Sequence, residues 1–354
     1  MNPFENLFVL EIAQNHLGDL KRGKEIVRQH GAVVKAHGVR AAFKLQLRDV
    51  PNFIHPDFKG RKDIRYVAKT QATAMPEQDF RELAQFIQDQ GFILMATAFD
   101  EASVAFAVDL DCDILKVASS DINDRPLLWA IARTHKPVIA STGGASLEDM
   151  DWLVSFFATA NVRLAVNHCV SLYPSEDGDL ELNQIDFLRK RYGALTIGFS
   201  SHEYRDWQAS MFISYAKGAR TWERHCDIES PGVTVSPYCS LPHQVAEWFR
   251  AFKQAKAMCG GPGDHKRVPS RREIEYLDAL VRGCYARRDL PAGHILEPDD
   301  IFLAIPLLQG QTSCREMVIG QPILEPVGKD RPLNLSALGG GFTGAALQNR
   351  GLVS

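Results

Sequence analysis

The apolar residues of this chain come in short runs, and nearly every run closes on polar side chains able to do chemistry. LFVLEIAQNH carries Glu11, Asn15 and His16, AAFKLQL carries Lys44 and Gln46, and FILMATAF closes near Thr97. ILKVASSD carries Lys116, Ser119 and Asp121, PVIASTGG carries Ser141 and Thr142, and LAVNHC carries His168. LTIGFSSH brings Ser200 and His202, and TWERHC brings Glu223 and His225. Stretches of helical character separate these runs. Strand alternating with helix builds a parallel sheet, and about eight such units close into a (β/α)8 TIM barrel. The carboxyl ends of barrel strands are where chemistry is done, so the same pattern predicts a fold and a site.

The elements can be placed in order. Strands are expected at about 7–13, 41–47, 92–98, 114–119, 137–142, 163–169, 195–201 and 221–226. Gly38 closes a first helix, Pro76 and Gly91 bracket another, and Ser146 with acids behind it opens a third. QVAEWFRAFKQAKAM has apolar residues at helical spacing. Between strands two and three lies a long connection, 48–74, rich in His, Asp, Arg and Lys. A segment that long is often functional, as a lid for example. The Gly/Pro/charge-rich CGGPGDHKRVPS then ends the barrel. The organisation read from this is a catalytic barrel over 1–260, a linker and short helix over 261–280, a small mostly β module over 281–338, and a mobile tail over 339–354.

Composition narrows the class. A 45% apolar, 23% charged chain of 354 residues is an ordinary globular protein, long enough for a barrel and a smaller domain. A net charge of -3 gives no sign of nucleic-acid or anionic-membrane binding, so an anionic substrate must be held by local cations. Seven scattered cysteines without a CxxC read as reduced thiols. With no signal-like start and no membrane-length apolar run, the expected location is the cytoplasm.

Three groups of residues carry the candidate chemistry. His202 and His225 close neighbouring strands and could share one divalent metal, with water and substrate oxygens completing the shell; unrelated strand-end histidines are the plainer reading. Lys44 and Lys116, with the hydroxyls of Ser119, Ser141 and Ser200, could bind a phosphate and a carboxylate, because lysines inside barrel strands are costly unless paired or used. The plainer reading of Lys116 is a buried ion pair with Asp121 or Glu223, which is compatible with function. Glu11, Asp121 and Glu223 are candidates for proton transfer or as counter-ions to the lysines. His168 and Tyr173 flank strand six and could touch substrate. STGGAS could add backbone N–H groups to an anion site. Arg61, Lys62, Arg65 and Lys69 could act from a lid, though such a run is more often a solvated face.

In this order the motifs resemble those of the sialic acid synthases. EIAQNHLGDL, FKLQ, LKVASSDINDRPLL, PVIASTGGAS, NHCVSLYPS, IGFSSH and WERHC follow that family's sequence of strands, and RRDLPAGHILEPDDI resembles its closing antifreeze-like (SAF) domain. The resemblance spans about 1–338. It implies condensation of phosphoenolpyruvate (PEP) with the open-chain aldehyde of an amino sugar, giving a 3-deoxy-2-keto sugar acid and phosphate. It implies that Lys44, Lys116, Ser119, Ser141 and Ser200 hold PEP, and that His202 and His225 ligate Mn²⁺, with Mg²⁺ or Co²⁺ as substitutes. Gln46, Thr97 and Tyr173 would face the sugar, and Glu11, Asp121, Glu223 and His168 would serve the chemistry. It further implies a homodimer in which one chain's small domain caps its partner's barrel.

The departures fall on one side. Ser201 stands where the family has aspartate, Asp121 where it has glutamate, and SPGVTVSP where it has a Gly-Pro-Asp stretch. In LAIPLLQGQ, Ile305 stands where an arginine reaching the sugar's N-acetyl group is expected. PEP-side and metal-side residues are kept while sugar-side residues change. The expectation is therefore an acceptor other than plain N-acetylmannosamine. The alternatives are a phosphorylated or non-N-acetylated aldose as acceptor, or a paralogue that binds sugar or PEP without turnover.

Overall fold

The computed structural model describes residues 2–316 and 318–339, in two units that divide between Gly260 and Gly261. The part of the expected tail from 340 onward lies outside the described residues.

The first unit is a closed barrel of eight parallel strands in sequence order. They are β1 (Leu7–Ala13), β2 (Arg40–Leu47), β3 (Ile93–Ala98), β4 (Ile114–Val117), β5 (Val138–Ser141), β6 (Leu164–Cys169), β7 (Thr196–Ser201) and β8 (Thr221–His225). The connecting helices are α1 (Leu20–His37), α2 (Val50–Phe53), α3 (Arg65–Ala72), α4 (Glu77–Asp89), α5 (Glu101–Asp109), α6 (Arg125–Ala132), α7 (Leu147–Thr159), α8 (Asn183–Arg191), α9 (Trp207–Ala216) and α10 (Pro242–Cys259). The connection after β2 is not structureless: it contains α2 and α3, with Pro51 seated in the first turn of α2 where a missing N–H costs nothing. Local chemistry sets the helix ends. Asp19 caps α1, Gly38 closes it at φ +57, and the Ser146 hydroxyl accepts from the Asp149 N–H at the start of α7.

Side-chain alternation along the strands creates two cores. Leu7, Val9, Ala42, Met95, Ile114, Ile139 and Ala165 point inward and, with Phe4, plug the amino-terminal end of the barrel. Their neighbours Phe8, Leu10, Phe43, Leu115, Val138, Val166 and Trp222 point outward into the layer under the helices. Toward the carboxyl end the inward positions turn polar. At that transition Gly198 leaves room for the Thr221 hydroxyl to donate to Asn167 Oδ1; a Cβ there would lie 1.8 Å from Thr221 Oγ1. The barrel is therefore filled, and its plug is the floor of the site.

Two buried histidines tie this fold to pH. The His30 Nε2–H donates to the Asp227 carbonyl at 3.0 Å, and Nδ1 is buried without a partner. His16 Nδ1 accepts the Gly18 N–H at 3.0 Å, and its ring meets Phe80 edge-on. Burial pushes both down to about 4. Each takes up its proton more readily when unfolded, so stability falls as pH drops below about 6.5, by roughly 2 kcal/mol per histidine at pH 5. Urea unfolding at pH 7.5 and 5 should show that loss, and His30→Gln, whose amide can keep the bond to Asp227, should remove about half of it.

The second unit has its own core. After α11 (Arg271–Asp278), β9 (Gly283–Ala286) pairs antiparallel with β10 (Ile301–Ala304). Isolated bridges extend the β character, and Cys284, Ala286, Leu290, Leu296, Val318, Ile323, Val327 and Leu333 are buried together. Buried Asp300 accepts from Arg288 and His294. Among the described residues no helix is long and apolar enough to cross a membrane.

Candidate active site

The inward positions of the strand ends assemble one cluster. Register places Glu11 beside Lys44 and His225, Thr97 beside Lys116, and Ser200 beside Glu223. Lys44 is its hub. Its ammonium pairs with Glu11 and, at 2.9 Å, with Glu223, and donates to Thr97 Oγ1 at 3.1 Å. Burial works against that charge, but the two carboxylates outweigh it and hold Lys44 above its ordinary value. Glu223 is the mirror case: burial opposes it, yet Lys44 and Lys116 hold it down at about 2. Glu11 stays raised, because burial and Glu223 together exceed the pull of Lys44.

Lys116 differs. Its ammonium donates to Ser141 Oγ and to the Val117 carbonyl, both at 2.8 Å, and touches no carboxylate. Burial lowers its pKa. Of the readings left open for it, the ion pair with Asp121 or Glu223 does not form. Ser200 reaches Glu223 at 3.4 Å, and Ser119 accepts the Gly143 N–H at 3.0 Å. That bond uses one of the backbone donors of STGGAS. Asp121 lies at the rim, raised by burial, with Oδ2 buried and unpartnered.

The histidines lie one inward step further along β7 and β8, beyond Ser200 and Glu223. The rings of His202 and His225 lie 5.6 Å apart. His202 Nδ1–H donates to the Val170 carbonyl at 3.0 Å, which leaves Nε2 as its free lone pair. Burial first, then His225 for one and Lys44 for the other, pushes both to about 3, so both are neutral imidazoles at physiological pH. Tyr173 covers them with its ring 3.9 Å from His202, and Tyr238 stands 5.3 Å from His225. Among the described residues no group of three or more His, Cys, Asp or Glu side chains could hold a metal. Two neutral imidazoles without a third protein ligand fit an open divalent site completed by water and substrate oxygens, not a closed structural one.

Of the expected residues, Glu11, Lys44, Thr97, Lys116, Ser119, Ser141, Ser200, Glu223, His202, His225 and Tyr173 converge here, and Asp121 sits at the edge. Thr97 is bonded to Lys44, deeper than a sugar-side position. Gln46 lies on the rim, accepting from Arg48 at 3.2 Å. His168 does not join them. It points out of the barrel, stacks on Phe199 and donates from Nε2 to the Leu180 carbonyl at 2.7 Å. Strand parity gives the reason: on β6 the inward residues are Ala165, Asn167 and Cys169. Cys169, level with Ser200, was the residue that counting by twos would have found. Ser201 also points outward, where it accepts from Arg224 at 3.0 Å, so its departure from aspartate bears on packing and leaves the cluster intact. The charged segment after β2 divides: Arg61 pairs with Asp63 in solvent, whereas the Lys69 charge is felt at His225. Arg48, Tyr238 and Arg224 were not anticipated.

Comparison with known proteins places both units in known families. The NeuB family matches residues 33–263, and the SAF domain matches residues 281–338. A solved structure assigned to spore coat polysaccharide biosynthesis protein E of Chromobacterium violaceum is 34% identical, with a TM-score of 0.89 over 95% of this chain and 100% of that one. N-acetylneuraminate-9-phosphate synthase of Homo sapiens is 26% identical over 84% of this chain and 82% of its own length. N,N'-diacetyllegionaminic acid synthase of Legionella pneumophila is 25% identical over 84% and 85%.

Proposed function

We propose that this chain, which belongs to the NeuB family and carries a SAF domain over residues 281–338, condenses phosphoenolpyruvate with an open-chain aldose to give a 3-deoxy-2-keto sugar acid and phosphate. The observation that carries the reading is Lys116: a buried ammonium without a carboxylate partner, set among Ser119, Ser141 and Ser200 in one barrel end. Such a charge is worth burying only if an anion arrives to meet it. The named synthases among its relatives support the same chemistry.

The residues divide the work. Lys116 and Lys44, with the three serines, orient the phosphate and carboxylate of PEP so that C3 faces the aldehyde. Bond formation from C3 to the aldehyde carbon leaves positive charge at C2, which Glu11 and Glu223 face and stabilise. Water then adds to C2 and gives up a proton. Asp121, with its raised pKa and unpartnered Oδ2, is the group placed to take it. The former aldehyde oxygen takes up a proton, the C2 hydroxyl gives one up, and the C2–O bond breaks so that phosphate leaves with the electron pair and the keto group remains. A divalent ion held by His202 and His225, Mn²⁺ in our reading with Mg²⁺ or Co²⁺ as substitutes, would polarise the aldehyde oxygen. Tyr173 and Gln46 would face the sugar. We place the protein in the cytoplasm, where PEP is made, and read it as a homodimer.

The test is phosphate release from PEP with Mn²⁺ across a panel of aldoses: N-acetylmannosamine, diacetamido-hexoses, simple sugars and phosphorylated forms. Release is expected with an acceptor other than N-acetylmannosamine. His225→Ala should cut it by about 10³-fold or more with the fold intact, because a lone imidazole cannot keep the ion. PEP that binds but is consumed with none of these acceptors, metal present, would favour a non-catalytic binding protein.

A further inference from the structure

Register around the closed barrel sorts the inward side chains into layers. A shift of about one residue per strand leads from Lys44 to Lys116, then to Asn167, to Glu223 and back to Lys44, all on even-numbered strands. Asn167 is the member of that layer to which the condensation gives no task. The other three rise into the layer above, where Lys44 donates to Thr97, Lys116 donates to Ser141, and Glu223 accepts from Ser200. Asn167 is shorter and stays on the floor of the site, with no solvent exposure.

Its Oδ1 accepts the Thr221 hydroxyl across the gap that Gly198 leaves. That bond reaches β8 itself, at the inward position one step below Glu223, about 7 Å along the strand. It also fixes the amide. Nδ2 lies on the other side, buried and without a partner among the described residues. Glu223 has the complementary need. Its Oε1 meets Lys44 at 2.9 Å and Ser200 at 3.4 Å, whereas Oε2 is buried and unpartnered. A donor lacking an acceptor and an acceptor lacking a donor thus share one layer of the barrel. Buried polar atoms of this kind are met by protein groups or by ordered water, and a water is held by two to four of them.

We propose that Asn167 is a positioning residue for the condensation, acting on Glu223 through a water that accepts from Nδ2 and donates to Oε2. The inference rests on the synthase reading, in which Glu223 faces the positive charge that develops at C2. The last torsion of a glutamate is broad, so hydrogen bonds set the plane of its carboxylate. Lys44 and Ser200 share one oxygen, about which that plane can turn, and the water pins the other. The charge it is aimed at exists only once the new bond forms, so the contribution falls on kcat and not on PEP binding. Lys116, with two of its three N–H groups used, keeps the third for PEP.

The first part of the test needs no turnover. A high-resolution crystal structure of the protein with PEP and Mn²⁺ should show a water within hydrogen-bond distance of both Asn167 Nδ2 and Glu223 Oε2. In Asn167→Leu that water should be gone and the Glu223 carboxylate turned by about 30° or more. A dry floor, a water touching only one of the two atoms, or a Glu223 that keeps its orientation in the variant overturns the proposal. The second part is kinetic. With an acceptor that the parent consumes, Asn167→Leu should lose about 10–100-fold in kcat while KM for PEP moves by less than about twofold. The single variant strands the Thr221 hydroxyl, so Asn167→Leu/Thr221→Val is the fold control. With both partners replaced by apolar groups of similar shape, it should regain the parent's Tm and none of the kcat. If kcat returns with Tm, the role is packing and the proposal fails. It fails equally if KM for PEP rises as far as kcat falls, which would make Asn167 a PEP contact. A parent that consumes no acceptor counts against the synthase reading alone, and the crystal structures still decide whether Asn167 aims Glu223.

Discussion

Lys116→Met should abolish phosphate release and leave the protein as stable as before, or more so, whereas Lys44→Met should lose both activity and stability. The two lysines look alike in sequence, each inside a barrel strand, but their partners differ. Lys116 is fully buried and bonded to a hydroxyl and a carbonyl only. Removing such a charge deletes a desolvation penalty, and Glu223, which Lys116 helps to hold down, keeps its ion pair with Lys44. Lys44 holds Glu11 and Glu223 apart, and neither can reach solvent. Without it two buried carboxylates face each other, a loss of about 3–5 kcal/mol. Both variants should fall at least about 10²-fold in kcat/KM for PEP, since each removes a charge-assisted contact made to the reacting anion. Lys44→Met/Glu11→Gln should regain part of the stability and none of the activity. Lys44→Arg should not rescue, because the planar guanidinium has no room among Thr97, Glu11 and Glu223. Thermal unfolding beside phosphate-release kinetics separates the cases. A Lys116→Met protein that unfolds as easily as Lys44→Met would refute the distinction.

Much of this was legible in the chain because two periodicities are simple. Apolar runs ending in polar residues marked all eight strands, and closure in sequence order brought their ends together. What failed was direction. His168 was chosen for its imidazole, but two-residue alternation turns it toward Leu180 and Phe199, and its neighbours Asn167 and Cys169 face in. The same rule sends Arg224 and Ser201 out of the barrel while Glu223 and His225 face in. Arg48 was hidden for another reason. It follows the strand's last residue, where no periodicity applies, and its orientation depends on Phe99 from the next strand's end. In the 48–74 connection a run of like charges gave no means of telling solvated Arg61 from Lys69, because the helical turn that separates them begins only at Arg65.

Arg224→Met should destabilise the barrel unit by about 3–5 kcal/mol, the largest loss expected from any residue outside the catalytic cluster. Its guanidinium lies between the barrel and the helices with no solvent exposure. There it pairs with Glu203 at 2.6 Å and donates to Ser201 Oγ, Ser240 Oγ and the Glu203 carbonyl. Four contacts from one side chain tie β7, β8 and the loops after them. Removal strands the Glu203 carboxylate, which already has one buried oxygen without a partner and keeps only Ser210. Arg224→Met/Glu203→Gln should therefore recover much of the loss, by removing the charge that the single variant orphans. Because Arg224 stands between Glu223 and His225 on β8, its loss should also reach the site. Affinity for the metal should weaken in the single variant and only partly return in the double, since stability depends on the charge balance but the aim of His225 depends on how β8 is held. Urea unfolding of the four-member cycle, read beside metal titration, checks both halves. If Arg224→Met unfolds within about 1 kcal/mol of the parent, this pair does not hold the strands together.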